Sequence, residues 1–375
     1  MPSVTNKLDL DTPAVVINRP ALDKNIEAMA RFATDHKLKL RPHVKAHKSP
    51  DIARRQLAAG AAGITVAKVG EAEVMAGAGV RDIFVANEIV TPTKIDRLLA
   101  MSPDVRLAVA LDSPDNLPLL SRAAAAAATR LGVLIEIDTG LHRCGVPDAR
   151  AALELAALVA DHPSLEFRGI FTHAGQVYGA TSVDQVTEIG RLEGTTMVAM
   201  AERLRSAGLP VAEVSVGSTP TARISGAVPG VTEIRPGNYV FYDAIQVGLG
   251  VVAEERCALR VLATVVSRPA SDRVVLDAGS KTLALDRGAH GTSVVQGFGR
   301  LVGWPGMLLE RLSEEHGVAV LAPDAADGRL PRIGETIEII PNHACTVANL
   351  ARVFNVVEGD RVVDRWPVAA AGRVD

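Results

Sequence analysis

The chain is poor in cysteine, in aromatic residues and in surplus charge of either sign. Among its 375 residues there are three cysteines, 3% are Phe, Trp or Tyr, and the formal net charge is -3 at pH 7. A small, odd number of cysteines argues against a disulfide framework and favours a reducing compartment, so we expect a cytoplasmic protein. Because there is no basic excess, we expect neither nucleic acid nor a membrane surface as a partner.

Long hydrophobic runs are also missing. No segment is apolar enough, for long enough, to cross a bilayer, and the N-terminus MPSVTNKLDLDTP lacks the basic start and apolar stretch of a signal peptide. The hydrophobic fraction of 48% is nevertheless ample for a large buried core in a chain of this length. These features favour a globular protein with a small-molecule ligand.

What the sequence does contain is a repeated alternation of short β-type runs with helical stretches. Strands are predicted at 38–45, 62–68, 82–88, 106–112, 133–140, 165–175, 213–218 and 233–243. Eight such units predict a (β/α)8 TIM barrel, whose active site lies at the C-terminal ends of the strands. Polar residues gather at or just beyond several of these ends, although strand ends that merely face solvent would also be polar.

After about Gly250 the pattern changes to β-rich runs separated by Gly, Pro and Asp turns. We therefore expect a barrel at 21–250 and an all-β C-terminal domain at 251–375. The N-terminal segment 1–20 contains one further strand, TPAVVI, which by order alone is expected to join the C-terminal domain.

The most informative residue is Lys45, in the segment RPHVKAHK (41–48) at the end of the first barrel strand. A lysine that is partly desolvated at such a point loses its proton readily, as an imine-forming amine must. A solvated surface lysine is the alternative that this context alone leaves open.

Several separated motifs resemble the pyridoxal 5'-phosphate (PLP) dependent family of D-threonine aldolases and D-serine dehydratases, relatives of alanine racemase. RPHVKAHK resembles the family's Schiff-base lysine motif, which makes Lys45 the catalytic lysine. IDTGLHRCG (137–145) is similar to the segment whose arginine, here Arg143, lies beside the cofactor's phenolic oxygen. FTHAG (171–175) is similar to the strand whose histidine, here His173, packs against the pyridine ring.

The same resemblance implies two phosphate-binding turns, VGSTPT (216–221) and RPGNYVFYD (235–243). It assigns to cofactor binding the residues Gly217, Ser218, Thr219, Arg235, Gly237, Asn238 and Tyr242. Small residues after a strand can offer backbone N–H groups to a phosphate dianion. Arg235, facing the pyridine nitrogen, would keep that nitrogen unprotonated, because a permanent cation disfavours a second positive charge beside it.

A metal site is implied by PNHACTVANL (341–350), where His343 and Cys345 alternate along a β-type run and so are expected on one side of a strand. On its own, an H-x-C pair is more often structural. In the family that the chain resembles, such a pair holds a divalent metal, here Zn, Mn or Mg, and two protein ligands leave positions open for substrate.

Racemisation is disfavoured because the three tyrosines, Tyr178, Tyr239 and Tyr242, all lie in the predicted barrel, and RVVLDAGSKTL offers none where a racemase needs one. The remaining chemistry is a lyase reaction on a D-3-hydroxy amino acid. An aldolase of the D-threonine aldolase type gives glycine and an aldehyde. A D-serine, D-threonine or 3-hydroxyaspartate dehydratase gives a keto acid and ammonia, and a thiolate ligand that favours zinc suits this elimination.

The C-terminal motifs most resemble D-threonine aldolase sequences, and the aldolase is the preferred prediction. A non-catalytic PLP-binding protein and a barrel without cofactor are alternatives of another class, against which the long C-terminal domain argues. The resemblance also implies a homodimer, with each active site between the barrel of one subunit and the C-terminal domain of the other. The roles of His43, His47 and His316 stay open.

Overall fold

The computed structural model describes residues 5–102, 104–292, 294–322 and 329–375. Eight parallel strands in the first two thirds of the chain form one sheet. They are β2 (Lys39–Leu40), β3 (Ile64–Val66), β4 (Asp82–Glu88), β5 (Arg106–Leu111), β6 (Leu131–Glu136), β7 (Leu165–Phe171), β8 (Glu213–Val216) and β9 (Glu233–Ile234). Their order in the sheet is β2-β9-β8-β7-β6-β5-β4-β3.

The sheet closes on itself between the segment after β2 and the strand β3. The N–H of Ala62 donates to the carbonyl of Leu40 at 2.8 Å, and the N–H of Thr65 donates to the carbonyl of Pro42 at 2.8 Å. These bonds complete the circle of parallel strands, so the predicted alanine racemase-like (β/α)8 barrel is confirmed.

Helices cover the outside of the barrel. They are α1 (Arg19–Asp35), α2 (Pro50–Ala58), α3 (Val69–Gly77), α4 (Pro92–Leu99), α5 (Leu117–Ala126), α6 (Ala149–Ala160), α7 (Val183–Ser206), α8 (Ala222–Ser225) and α9 (Ala244–Gly248). The first is typical: Asn18 caps it by accepting the N–H of Ala21, and its buried face carries Leu22, Ile26 and Met29 at helical spacing. No described helix combines the length and apolar character needed to cross a bilayer.

A second, mixed sheet follows, and it also takes in a strand from the N-terminal segment. Its strands are β1 (Ala14–Asn18), β10 (Leu259–Ala270), β11 (Arg273–Leu276), β12 (Gly299–Leu301), β13 (Met307–Leu312), β14 (Gly317–Leu321), β15 (Thr336–Pro341), β16 (Val353–Glu358) and β17 (Arg361–Pro367). Strand β1 lies antiparallel to β10 and parallel to β16. Two short helices belong to this part of the chain, α10 (Ser280–Leu283) and α11 (Ala344–Leu350).

Two barrel strands are much shorter than predicted. β2 ends at Leu40, and Lys45 lies in a 3-10 turn (Val44–Ala46) that begins after His43, whose ring nitrogen Nδ1 accepts the N–H of Lys45. β9 ends at Ile234, because Pro236 and Gly237 turn the chain into another 3-10 turn. In both places the chemistry-bearing residue lies beyond the strand, in the turn at the barrel mouth.

The prediction of a β-type run over PNHACTVANL is wrong. β15 ends at Pro341, His343 caps α11, and Cys345 lies in the first turn of that helix. The Asn342 side chain donates to two carbonyl groups at 2.9 Å, those of Asp286 and Gly297, which turns the chain out of the sheet. Helix α11 then packs against the turn that carries Lys45.

Candidate active site

A cavity of about 740 Å³ opens at the C-terminal ends of the barrel strands. The sequence-predicted site residues that line it are Lys45, Arg143, His173, Gly217, Ser218, Thr219, Arg235, Gly237, Asn238, His343 and Cys345. The predicted residue Tyr242 is not among the lining residues. The volume is large enough for a cofactor and a small substrate together.

Lys45 is held in a half-buried turn at the floor of this cavity. Burial lowers the pKa of Lys45, and the positive charge of Arg143 adds to this effect while Cys345 opposes it. A larger share of the amine is therefore neutral near pH 7 than in an ordinary lysine. This is the state that a nucleophilic amine requires.

Arg235 is buried, and one of its three side-chain nitrogens is left without a hydrogen-bond partner in the described residues. One terminal nitrogen, Nη1, donates to the Ser215 hydroxyl at 2.6 Å, and Nη2 donates to the carbonyl of Thr172 at 2.6 Å. The guanidinium also lies 5.0 Å from the ring centre of Phe171. Within the described residues, its Nε has no hydrogen-bond partner. A rigid cation with one free N–H at the cavity wall fits the nitrogen of an aromatic ring.

The two predicted phosphate turns lie side by side after β8 and β9. The backbone N–H groups of Thr219, Gly237 and Asn238 donate to no acceptor in the described parts of the chain. The N–H of Gly217 is already used, because it donates to the buried Glu193 at 2.8 Å. Unpaired N–H groups from adjacent turns form an anion cradle, so the donor set fits a phosphate group.

Arg143 lies at the cavity edge with a carboxylate behind it. Its Nη2 is 3.6 Å from Oε1 of Glu136, a buried residue at the end of β6. Burial and the neighbouring Glu88 carboxyl raise the pKa of Glu136. The arginine therefore faces the cavity from a paired position, which limits the directions that its guanidinium can take.

Three potential metal ligands lie beside this pair, within 4.8 Å of one another: Glu88, Asp112 and Cys144. The Asp112 carboxylate accepts the N–H of Gly145 at 3.1 Å, and burial raises the pKa of the Cys144 thiol to about 11. A protonated thiol and an acceptor already engaged with the backbone describe a structural cluster that holds the segment after β6 in place.

Two histidines meet across the cavity, one from the barrel and one from the C-terminal part of the chain. The Nε2 atoms of His173 and His290 are 3.2 Å apart, and the Tyr178 ring centre is 5.5 Å from that of His290. Burial lowers the pKa of His173 well below its ordinary value, and partial desolvation together with the charges of Lys45, Arg143 and His343 lowers that of His290 to about 4. Both rings are therefore neutral near pH 7, and each has one nitrogen able to accept a proton.

His343 and Cys345 reach the same cavity from helix α11 of the same chain. Nδ1 of His343 lies 3.1 Å from Oδ1 of Asp286. Although burial lowers it, the Cys345 sulfur and the Asp286 carboxylate together raise the pKa of His343 well above its ordinary value. Anionic neighbours that favour a proton also favour a divalent cation, so nitrogen, sulfur and carboxylate donors here fit a metal such as zinc.

Comparison with known proteins places this site in a family. The family model described as alanine racemase, N-terminal domain, matches residues 17–244, and a serine dehydratase domain model matches residues 258–357. The chain is 35% identical to the D-threonine aldolase of Arthrobacter sp, over 97% of this chain and 93% of that protein.

It is 36% identical to the D-threo-3-hydroxyaspartate dehydratase of Delftia sp. (strain HT23), over 96% of this chain and 97% of that protein. The chain belongs to the D-threonine aldolase and D-serine dehydratase family. The crystal structure of D-threonine aldolase from Filomicrobium marinum has the same fold, with a TM-score of 0.91 at 34% identity, and covers 99% of this chain and 98% of that one.

Some predicted residues of this family member lie elsewhere. Tyr242 is buried, with a left-handed backbone (φ 50), and the charged groups that act on its hydroxyl are Arg223 and Arg256, outside the cavity. His316, whose role the sequence leaves open, is exposed in the turn between β13 and β14.

Of the remaining histidines, His43 lines the cavity, and its Nδ1 accepts the N–H of Lys45. His47 is fully buried, and its Nε2 lies 3.2 Å from Oε1 of Gln56. The first therefore shapes the lysine turn, and the second packs beneath it.

Glu88 is one of the polar residues that the sequence predicts at the strand ends, but three further cavity residues of this family member are not predicted as site residues: Glu136, Tyr178 and His290. A signal was available for Glu136, because a charged residue interrupts the apolar run VLIEI and needs a buried partner. The sequence around His290 gives no comparable indication, because this residue reaches the barrel from a loop in the C-terminal part of the chain.

Proposed function

We propose that this protein is a PLP-dependent lyase of D-3-hydroxy amino acids that cleaves D-threonine-type substrates to glycine and an aldehyde. One observation carries the proposal. Lys45, the free Nε of Arg235 and the pair His343 and Cys345 line a single cavity, in a chain similar over nearly its whole length to a D-threonine aldolase.

The cofactor would be held by Lys45 at its aldehyde, by Arg235 at its ring nitrogen and by the turns of Thr219, Gly237 and Asn238 at its phosphate. Arg143 would lie beside the phenolic oxygen and His173 against the ring. PLP supplies an electron sink for the bonding pair released at the amino acid's Cα. The unpaired donors described above support this assignment because each has a matching acceptor on that molecule.

The protein's own groups prepare the site for this chemistry. Burial keeps the Lys45 amine ready to react with a carbonyl group. Arg235 keeps a facing ring nitrogen unprotonated, which weakens ring-centred electron withdrawal and leaves the β-hydroxyl as the point where further help is needed. Because His173 and His290 are neutral, they can accept a proton without first losing one.

His343 and Cys345, supported by Asp286, would hold a divalent metal: zinc, manganese or magnesium. Such an ion supplies Lewis-acid polarisation of a hydroxyl group and leaves coordination positions open when the protein gives only two ligands. Sulfur among the donors favours zinc. We propose these residues as a metal site because an imidazole and a thiol from one helix end line the cavity, and a carboxylate lies within 3.1 Å of that imidazole.

The second candidate is dehydration of D-serine, D-threonine or 3-hydroxyaspartate to a keto acid and ammonia. It is favoured by the similarity, of equal extent, to the Delftia dehydratase and by the thiol donor. In that reaction Nζ of Lys45 would take the α-proton and the β-hydroxyl would leave. The cavity holds the groups for either reaction.

We also propose a cytoplasmic homodimer. Three cysteines without disulfide partners support a reducing compartment. His343 and Cys345 reach the cavity of their own chain, so a second subunit is not needed to bring the metal pair to the barrel. Size-exclusion chromatography with light scattering tests the dimer directly.

The lysine assignment is tested by adding PLP to the purified protein, reducing with borohydride and locating the modified residue by peptide mass spectrometry. We expect the cofactor mass on Lys45 and none on Lys45→Arg. Modification of another lysine, or of none, would contradict the proposal.

A further inference from the structure

A loop from the C-terminal part of the chain, residues 286–292, lies across the barrel mouth and is fixed at both ends. The Asn342 side chain donates to the Asp286 carbonyl at 2.9 Å. The Thr292 hydroxyl lies 2.7 Å from the carbonyl oxygen of Ala289 in the loop and 3.2 Å from that of Tyr178 in the barrel, so its one hydrogen is shared between these two acceptors. Gly288 permits the tight path between them, since a Cβ there would lie 2.2 Å from the Thr292 carbonyl oxygen. This segment is named the His290 loop.

The loop places one imidazole at the cavity in a conformation that most residues avoid. His290 has a left-handed backbone with φ 55, which costs roughly 1 kcal/mol or more for a residue other than glycine. Its ring fits only because residue 175 is glycine: a Cβ at Gly175 would lie 2.9 Å from Nε2 of His290. The left-handed backbone of His290 and the space beside Gly175 together place this ring at the cavity.

The His290 ring lies within the electrostatic reach of the reacting groups. The charges that act on it are those of Lys45, Arg143 and His343, and it is 3.2 Å from His173. Unlike His173, the residue is exposed, so its proton can exchange with solvent. His290 therefore connects the cavity floor, the metal pair and water.

Retro-aldol cleavage needs a group that takes the proton of the β-hydroxyl. Lys45 is committed to the cofactor. Burial and the neighbouring Glu88 raise the pKa of Glu136, so this carboxyl keeps its proton more readily than an ordinary one. Burial raises the pKa of Tyr178, so its hydroxyl keeps its proton. His173 is assigned to the cofactor ring. The Nδ1 atom of His43 is occupied by the N–H of Lys45, and Glu88 belongs to the cluster with Asp112 and Cys144. Among the cavity groups described, His290 is then the exposed imidazole that can accept a proton.

We propose that His290 is the catalytic base that accepts the β-hydroxyl proton of the substrate; this inference rests on the proposed function. The hydroxyl oxygen then forms the carbonyl of the aldehyde, the Cα–Cβ bond breaks, and its electron pair stays with the glycine carbon. That carbon takes up one proton before release. One proton is lost and one gained, so the step needs no further reactant.

The test compares the holoenzyme variants His290→Ala and His290→Gln with a matched control, His316→Ala, which removes an exposed histidine far from the cavity. We expect kcat for D-threonine cleavage to fall by about 100-fold or more in both His290 variants, the usual effect of removing a general base. PLP affinity, measured by titration of the apoprotein, and bound metal should match the wild type. Added imidazole should partly restore His290→Ala.

A reaction without a β-hydroxyl provides the internal control. Exchange of the glycine α-proton with D2O, followed by NMR, should persist in both His290 variants because no hydroxyl is deprotonated. Retention of cleavage by His290→Gln would overturn the proposal and make His290 a positioning residue, since the amide can still hydrogen-bond to His173. Cleavage of D-threonine by neither the wild type nor the variants would instead refute the proposed function itself.

Discussion

At the scale of single residues, burial decides the chemistry of the cavity. Lys45 becomes a better nucleophile because desolvation disfavours its ammonium form. Arg235 keeps its position because Ser215 and the Thr172 carbonyl hold two of its nitrogens, which leaves the third for a ligand. Burial therefore makes the Lys45 amine more reactive, whereas hydrogen bonds hold the buried Arg235 guanidinium in position.

The Arg235 geometry predicts the result of Arg235→Lys. Lysine keeps the charge but cannot bind Ser215, Thr172 and a ligand in one planar arrangement. Loss of one charged hydrogen bond, about 1.5–3 kcal/mol, should weaken PLP binding roughly 10- to 100-fold. Titration of the apoprotein measures this, with Arg311→Lys on an exposed strand as the control. Equal affinity in the wild type and Arg235→Lys would show that the free Nε faces no ligand.

Residue types could be predicted well where a motif is continuous in sequence. Lys45, Arg143 and His173 were found this way, and all three line the cavity. His290 could not be found, because its place depends on a left-handed loop and on the space beside Gly175. Such three-dimensional matches leave no periodic trace in the sequence.

At the scale of elements, one buried carboxylate joins the phosphate turn to the metal helix. Asp243 caps α9 by accepting the N–H of Gln246 at 3.1 Å, and it accepts the N–H of Ala344 in α11 at 2.9 Å. The Asp243 carboxylate also accepts a hydrogen bond of 2.6 Å from the side-chain amide nitrogen of Asn238. The cofactor turn and the metal pair are therefore positioned by a common residue.

Asp243→Ala should consequently weaken the binding of both PLP and metal, and lower the stability by about 3 kcal/mol. PLP titration, elemental analysis and thermal unfolding measure the three effects. The control is Asp148→Ala, which removes the cap of α6, where Asp148 accepts the N–H of Ala151 at 2.9 Å. That variant should lose only about 1 kcal/mol of stability. An effect of Asp243→Ala on one ligand alone would contradict the coupling.

The phosphate turn itself depends on a close backbone approach at Gly237. A Cβ there would lie 2.8 Å from the His43 carbonyl oxygen, so Gly237→Ala must displace either the turn or the lysine segment. We expect at least a tenfold loss of PLP affinity. In Gly248→Ala the added Cβ meets only Val295 at 3.5 Å, and PLP binding should be unchanged. Equal affinity in all three proteins would argue against a phosphate site at this turn.

The metal pair shows how an element can be misassigned while its residues are correctly chosen. His343 and Cys345 were predicted to share one side of a strand, yet they share the cavity from the start of a helix. The apolar residues of CTVANL suit either structure. Tertiary contacts, in particular Asp243 with Ala344, decide for the helix.

At the scale of the whole molecule, the barrel and the mixed sheet share one hydrophobic core, and the protein also buries titratable side chains. His47 is fully buried, and desolvation lowers its pKa from 6.5 to about 3. The unfolded chain binds a proton there before the folded chain does, so stability is lost as pH falls from about 6.5 towards 3. The full effect of this pKa shift on the free energy of unfolding is roughly 5 kcal/mol.

His47→Asn removes this titration and should give a shallower fall of the melting temperature across that pH window, even though its stability at pH 7 is lower. His316→Asn, at an exposed site, should keep the wild-type slope. Thermal melts at several pH values measure the difference. An unchanged slope in His47→Asn would show that His47 is not the group being titrated.

The barrel and the β-rich second part could be predicted from the sequence. Eight βα alternations and the later change to β-rich runs are patterns that extend over long segments of the chain. The path by which the second part reaches the barrel mouth was not predictable, since it depends on packing between α11 and the Lys45 turn. That contact brings the predicted lysine and the predicted metal pair into one cavity.

The proposed lyase reaction is tested most directly by incubating the protein with PLP and Mn2+ or Zn2+, separately with D-threonine and D-serine, and assaying the products. We expect glycine and acetaldehyde from D-threonine. Pyruvate or 2-oxobutyrate with ammonia would establish the dehydratase instead, and no reaction in a protein loaded with PLP at Lys45 would contradict both assignments.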